Sequence, residues 1–556
     1  MKIKSAKLFF IMVSVFLMTA VFYCYADIVS FRLGGPGFTT VVNDYDGDGK
    51  ADPAVYQESS GNWFVACSGN NYATATINLG GPGYTPLAGD YDQDGQADPI
   101  VYQETTGDWY VRLSGSNYVI GVLYGFGGSD YQPVPADYDG CGNVEPAVYA
   151  PASGDWFMWR PSAPVTITRH DAYLEVQINY NADTRYAIGK LYAQKALEAV
   201  PDFESLADSY LKESTDGLHY YDTNITAAVL FGRARAIEPQ IASRYLEELN
   251  GFASVLSGGT NNVLGDGKLA RDELLMLNLC PDIFTLVSCS GVAVFGARSA
   301  TGQTIIGRNL DWYLGSNGKI GQFNAVIYSI AGQARVCSIG YIGVLGCLTG
   351  FNDSGLYVAS IYSDVNALYS ATGKRSWMFD TRHVLESERT ISGAAAFIGN
   401  PTNQYAFHNV LYMADKYESR MLENDYEHRR SLRGYDSVLN TGVIWGFDNA
   451  IAIVNSFVLN GNTDNHTTAA SNYERWNNYR TQLAAKGSVV TFDDVKAIMS
   501  YHEAGGTKDG DIYHTGTAMS MVYSYADNRL AVFFHAATSA FTENPQYIDV
   551  PLGFTP

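Results

Sequence analysis

The chain has 556 residues, more than one domain usually takes, and at 46% apolar it has the hydrophobic side chains for more than one core. Its 57 acidic side chains outnumber 36 basic ones, for a net charge of -21. Phosphate backbones require a basic footprint that this balance lacks, so nucleic acid is excluded as a partner.

The first residues carry Lys2, Lys4 and Lys7, then an apolar run from Leu8 to Phe22 and a small-residue site ending at Ala26. That order predicts a secretory signal peptide over 1–26, and with it a secreted or periplasmic protein. The apolar run is short for a membrane anchor. No later charge-free apolar run is long enough to cross a bilayer, so no stable membrane span is expected once the signal is removed. Removal takes Cys24 and leaves Cys67, Cys141, Cys280, Cys289, Cys337 and Cys347. An even count in an exported chain permits disulfides, but spacing alone does not pair them, and no CxxC motif signals zinc or redox chemistry.

Residues 27–162 hold a threefold repeat of about 46 residues. LGGPGFT, DYDGDGKADPAVYQ and SGNWFV return as LGGPGYT, DYDQDGQADPIVYQ and TGDWYV, and again as FGGSDYQ, DYDGCGNVEPAVYA and SGDWFM. Short aromatic and β-branched runs between Gly and Asp turns predict an all-β, propeller-like repeat domain. Three copies are too few to close an ordinary propeller. Trp63, Trp109 and Trp156 hold equivalent positions and are expected to pack inside each copy. Acidic residues alternate around a glycine at Asp44, Asp46, Asp48 and Asp52, and again at Asp90, Asp92, Asp94 and Asp98. Hard carboxylate oxygens on a glycine-bent loop suit calcium; the alternative is a set of Asx turns that shape the hairpins. The loops resemble those of FG-GAP and VCBS-type repeats, which implies calcium there and a surface that binds a protein, a glycan or another surface. The third copy has Cys141 and Glu145 at two of the acidic positions, which puts its metal site in doubt.

After Pro164 the composition changes. Apolar spacing predicts helices within 183–213, 226–256 and 268–280, then strands over 325–331, 336–342 and 356–361. Helices are expected again within 371–422 and over 492–500, with strands over 519–525 and 529–534. Helices followed by mixed elements imply an α+β body from residue 163 to the end.

Inside that body, Ser288 to Trp312 reads as a β-hairpin: an apolar strand leaves Cys289, turns near Ala300 and Thr301, and returns through Ile305-Ile306 to Arg308-Asn309-Leu310-Asp311-Trp312. Paired positions in an antiparallel hairpin sum to a nearly constant number, so Arg308 to Asp311 come back opposite Cys289. A thiol, a guanidinium and a carboxylate meet at one end, and a nearby positive charge favours thiolate. His514-Thr515-Gly516-Thr517 precedes a strand and is a candidate pocket lining.

Cys289 opening an apolar strand, followed by GRNLDW, resembles the N-terminal nucleophile (Ntn) hydrolases of the choloylglycine hydrolase and penicillin acyltransferase type, and more distantly acid ceramidase. Gly350 to Leu356, Ala452 to Phe457, Ser471 to Trp476 and the stretch ELLMLNLCPDIF (273–284) are similar to further family segments in the same order. The resemblance covers about residues 220–540. It implies an αββα sandwich whose 163–288 part is propeptide-like and whose 289–556 part is catalytic. It further implies autocatalytic cleavage between Ser288 and Cys289, which frees the Cys289 α-amine as general base for its own thiol. Arg308 would favour thiolate, Asp311 would hold the α-ammonium, Asn352 would form an oxyanion hole, and Asn455 and Arg475 would complete the site. The implied activity is hydrolysis, or acyl transfer, of linear amides of the N-acyl class through a thioester, with no cofactor for catalysis. The alternatives are a calcium-dependent binding or adhesion protein with an inactive hydrolase fold, and a phospholipase B-like lipid acyl hydrolase.

Overall fold

The structure of the protein is a computed structural model that describes residues 30–554 apart from 93, 139–143, 160–162, 285–287, 364–368, 464–469, 509 and 539. The expected signal segment and Cys141 lie outside the described residues. The chain divides into two compact units, Met1–Ser162 and Ala163–Pro556.

Each of the first two repeats forms its own four-stranded antiparallel meander: Phe38–Thr40, Ala54–Gln57, Asn62–Cys67 and Ala73–Asn78, then Tyr84–Gly89, Asp98–Gln103, Asp108–Leu113 and Val119–Leu123. Trp63 and Trp109 are buried, and their indole N–H groups donate to the carbonyls of Leu79 and Phe126 just past the fourth and eighth strands' neighbouring turns. The third repeat gives only Gln132–Pro133, Ala147–Ala150 and Asp155–Met158 among the described residues. Trp156 departs from the expected packing and is 53% exposed. The reason is the missing fourth strand: nothing among the described residues covers its ring from the side that Ala73–Asn78 covers in the first copy.

The second unit is built on two sheets. A nine-stranded sheet runs, in spatial order, Val165–Arg169, Leu174–Asn179, Asn324–Ala331, Ala334–Tyr341, Thr349–Asn352, Tyr357–Tyr362, Asn409–Ala414, Ser419–Asn424, Arg430–Arg433. A six-stranded sheet runs Ala450–Ile453, Ser288–Val294, Ile305–Asp311, Thr517–Ser524, Arg529–Phe534, Ile548–Val550. Their inner faces meet. The Tyr412 hydroxyl of the first donates to the Val292 carbonyl of the second at 2.8 Å, and the rings of Phe351 and Tyr523 stand 4.8 Å apart. The helix Trp377–Ser387 covers the outer face of the nine-stranded sheet, with Arg185–Ala199 on its edge strand. Helices Ala470–Ala485 and Phe492–Met499 pack on the six-stranded sheet in a second apolar cluster that includes Val292, Val294 and Ile305. The layers are therefore helix, sheet, sheet, helix, an α+β body.

The helical expectation for 163–284 resolves into Arg185–Ala199, Phe203–Tyr221, Ala227–Ile237, Ser243–Ala253, Arg271–Asn278 and Cys280–Ile283. Side chains of Thr184 and Thr226 cap two of them by accepting from the N–H groups of Ala187 and Val229. The stretch 371–422 is a correction. Only Trp377–Ser387 and Ile391–Ile398 are helical there, while Asn409–Ala414 and Ser419–Asn424 are paired strands. All six residues of Asn409–Ala414 are buried. A strand covered on both faces has no alternation, and its short apolar run looks like a buried helix segment. Val165–Arg169 and Leu174–Asn179 were also not expected; the latter alternates between buried and more exposed residues and pairs parallel with Asn324–Ala331 across a long connection.

Candidate active site

The strand Ser288–Val294 and the returning strand Ile305–Asp311 pair antiparallel with Cys289 opposite Leu310, Ser288 opposite Asp311, and Gly291 opposite Arg308. Every residue of the returning strand is buried, because it is the third strand of six. Its pairing with Thr517–Ser524 shifts by one residue between Leu310 and Asp311. Such a bulge re-aims the side chain at its end, and here the Asp311 carboxylate receives the Thr517 hydroxyl at 2.8 Å.

Around Cys289 four elements converge. Arg308 Nη2 lies 3.6 Å from the sulfur, and its Nη1 donates to the Thr349 hydroxyl of the nine-stranded sheet. The Cys289 N–H donates to Asn455 Oδ1 at 2.8 Å, just beyond the strand Ala450–Ile453. Asn455 Nδ2 donates to the Tyr362 carbonyl at 2.6 Å, and the Asn455 carbonyl accepts from Asn472 Nδ2 at 3.0 Å. Arg475, from the helix Ala470–Ala485, donates to the Cys289 carbonyl at 3.5 Å and stands 3.6 Å from Asp311 Oδ2. His514 Nε2 lies 3.0 Å from that same carboxylate oxygen. The Tyr479 hydroxyl donates to Ser290 Oγ at 2.9 Å and fixes the strand from the helix side.

Of the residues expected from the sequence, Cys289, Arg308, Asp311, Asn455 and Arg475 share this centre. Asn352 does not, and this is a correction. Its Nδ2 donates to the carbonyls of Leu385 and Glu388, and its Oδ1 accepts from the N–H groups of Ser354 and Leu356. All four amide bonds hold the turn after Thr349–Asn352, an Asx turn anchored on a helix end, so no donor points toward an oxyanion. His514, Tyr479 and Asn472 are additions. His514 gave only a local signal, a polar turn before a strand, while Tyr479 and Asn472 sit on a helix that the sequence reading did not place.

Electrostatics follow from burial. Burial pushes the Cys289 thiol up, the Arg308 guanidinium pulls it back, Asp311 raises it again, and Arg475 opposes that. Burial also works against the Asp311 carboxylate, yet His514, Arg475 and the Thr517 hydroxyl together hold it below the usual aspartate value. Arg308 is fully buried and has no carboxylate within ion-pair reach among the described residues. A buried cation without a carboxylate is expensive, and here the Thr349 hydroxyl and the Cys289 sulfur are its side-chain partners.

Two cavities flank the centre. The inner one, about 40 Å³, is walled by Trp312, Phe323, Tyr341, Ile342, Leu348 and Met378. Tyr341 ties it to the nucleophile, since its phenol is felt by both Arg308 and Cys289. The outer one, about 470 Å³, is bounded by Tyr220, Tyr221, Phe284, Tyr313 and Glu213. Trp312 belongs to both walls, and its indole N–H donates to the Tyr210 hydroxyl at 2.5 Å.

In the repeats, carboxylate oxygens of Asp44, Asp46 and Asp48 lie within 4.8 Å of one another, as do those of Asp90, Asp92 and Asp94. Asp52 and Asp98 differ in kind. Both are buried, and each carboxylate accepts two backbone N–H groups: from Tyr45 and Ser68, and from Tyr91 and Ser114. Glu145 repeats this anchoring by accepting from the Tyr138 N–H. The three-aspartate sets offer hard oxygens on a glycine-bent loop, as a hard cation requires, while Asp48 Oδ2 already accepts from Lys50 Nζ and the Ser68 hydroxyl.

No protein-family profile matches the chain, and no curated protein matches it. Among solved structures it is similar to a Caenorhabditis elegans ortholog of N-acylethanolamine-hydrolyzing acid amidase, at 15% identity over 42% of this chain and 92% of that one, TM-score 0.29. A variant of conjugated bile acid hydrolase from Clostridium perfringens gives 12% over 48% and 93%, TM-score 0.31. Penicillin V acylase from Agrobacterium tumefaciens gives 14% over 47% and 86%, TM-score 0.29. Likenesses this distant carry no argument about chemistry, which rests on the side chains around Cys289.

Proposed function

We propose that the 163–556 unit is an Ntn cysteine hydrolase that cleaves its own chain between Ser288 and Cys289 and then hydrolyses linear amides with an apolar acyl group. The observation that carries this reading is a buried thiol facing an unpaired buried guanidinium, with its own backbone nitrogen held by Asn455 at the end of a strand inside a two-sheet sandwich.

In the first step the Cys289 sulfur bonds to the Ser288 carbonyl carbon and the C–N bond breaks. The thiol proton ends on the freed nitrogen, and water then hydrolyses the thioester to leave a carboxylate on Ser288. The new α-amine, with an ordinary pKa near 8, is a base poised for neutral solution. It takes the thiol proton as sulfur attacks the substrate carbonyl, then returns a proton to the leaving amine. Arg308 stabilises the sulfur's negative charge, and Asp311, shared with Arg475 and His514, holds the amine in place beside Asn455. The thioester is resolved by water, or by a second amine if the enzyme transfers acyl groups. No cofactor is required. The wider aromatic cleft of about 470 Å³ has room for an acyl chain, and the apolar pocket of about 40 Å³ takes only a few atoms.

The signal-like N-terminus supports export, and the two three-aspartate loops support calcium in the repeats, which we assign to attachment rather than to catalysis. N-terminal sequencing of the purified chain tests the central claim: a fragment beginning at Cys289 is expected. An intact chain after long incubation, with amide turnover unchanged in Cys289→Ala, would falsify it and leave a binding protein with an inactive hydrolase fold.

A further inference from the structure

We infer that His514 is a positioning residue that holds the Asp311 carboxylate against the Cys289 amine; the inference rests on the hydrolase reading above. The Gly516 N–H donates to His514 Nδ1 at 3.1 Å. A nitrogen that accepts carries no proton, so in the neutral ring the proton sits on Nε2. That atom lies 3.0 Å from Asp311 Oδ2, within ion-pair reach but outside hydrogen-bond geometry. The ring is thus held at Nδ1 by the turn and brought against the carboxylate at Nε2. The turn that carries it is closed by the His514 N–H to the Thr517 hydroxyl and by the Thr517 N–H to the His514 carbonyl. Thr517 itself donates to the other Asp311 oxygen, so one short turn grips both oxygens of one carboxylate.

The charged and titratable groups facing this carboxylate are Cys289 from the hairpin, Arg475 and Tyr479 from the helix Ala470–Ala485, and His514 from the turn. Arg475 is at 3.6 Å, so His514 is the closer partner. Once the chain is cleaved, the α-amine titrates beside this carboxylate. Every donor that Asp311 loses leaves more negative potential at the amine and favours its ammonium form, which cannot act as base.

His514→Ala should therefore move the acid limb of the kcat/KM profile for acyl p-nitroanilides upward by roughly one pH unit. Its rate should approach wild type on the alkaline side, where the amine is free. His514→Gln keeps an N–H donor at the same reach and should restore the wild-type limb. A His514→Ala profile that superimposes on wild type, or a loss uniform at every pH that Gln fails to rescue, overturns the inference. The contact has a readout that needs no turnover: at one fixed pH the His514 ring resonances in the NMR spectrum should shift in Asp311→Asn relative to wild type. Unmoved resonances also overturn it. A wild-type chain that neither cleaves nor hydrolyses, yet shows the ring shift, sinks the hydrolase reading and this role with it, while leaving the contact itself established.

Discussion

Arg308 Nη2 stands 3.6 Å from Cys289 Sγ, although 19 residues separate them in the chain. The two side chains project from neighbouring strands, and the residue directly opposite Arg308 is Gly291. Removing the guanidinium should therefore act on the sulfur and not on the fold's connectivity. Arg308→Ala is expected to lower kcat/KM for amide hydrolysis by about 10²–10³-fold, the usual effect of losing one preorganised charge donor. Arg308→Lys should recover part of that loss. Steady-state kinetics with the unfolding temperature measured alongside separates the two effects.

Gly291 is predicted to be intolerant for a packing reason. A Cβ there would lie 2.7 Å from the Gly307 carbonyl oxygen and 2.7 Å from the Tyr412 ring. Both neighbours are buried, Gly307 in the adjoining strand and Tyr412 in the facing sheet, so neither can yield cheaply. Gly291→Ala should destabilise the hydrolase unit by about 1–3 kcal/mol, read as a fall in denaturant midpoint with an unchanged slope.

Trp312 divides the inner cavity from the outer cleft. Trp312→Ala should join them and shift preference toward longer acyl chains. The ratio of kcat/KM for palmitoyl over hexanoyl amides should rise about tenfold, in the range a few methylenes contribute in an apolar pocket. A proportional loss for both substrates would remove Trp312 from the acyl wall.

Asp282 gives a pH-dependent stability. It is fully buried, and burial pushes its carboxyl up to about 8 against a reference of 3.8. Its oxygens accept from the Ser376 hydroxyl and the Trp377 N–H, which moderates the shift without reversing it. A carboxyl whose folded value is raised stabilises fully below its unfolded value, and that contribution fades as pH rises through the folded one. Wild-type stability should thus decline between pH 3.8 and about 8. Asp282→Asn, which stays neutral, should flatten that part of the unfolding-temperature profile.

Calcium is the fifth test. With free calcium at about a hundred times its dissociation constant, a site that exists only in the folded repeats stabilises them by about 2.7 kcal/mol. Calorimetry of the whole protein should show a transition raised by calcium. The double variant Asp46→Asn, Asp92→Asn should lose the increase and keep the hydrolase transition unmoved. An increase that survives the double variant would return these loops to Asx turns.

The hairpin was legible because antiparallel pairing is local: once the turn is placed, the partners of Cys289 follow by counting, and the observed register has Cys289 opposite Leu310. Asn352 misled for a related reason. Its short polar loop has the look of a functional asparagine, but an asparagine before a glycine turn equally well bonds its own backbone, and two such bonds plus two to the carbonyls of Leu385 and Glu388 decided the matter. The fully buried strand Asn409–Ala414 was hidden because burial on both faces erases the period that distinguishes strand from helix.

By itself, then, the sequence determined the repeat array, the α+β character of the second unit, and the end of the hairpin where thiol, guanidinium and carboxylate meet. Those features arise from residues near one another along the chain, whose periodicity and turn chemistry act over a few positions. Only the tertiary structure decided which distant groups join them. Asn455 reaches the Cys289 nitrogen from 166 residues away, Arg475 its carbonyl from 186, and His514 enters from the turn before Thr517–Ser524. Such contacts depend on how two sheets and their covering helices pack. No local pattern records that packing, because it is set by the sum of buried surfaces rather than by any one stretch.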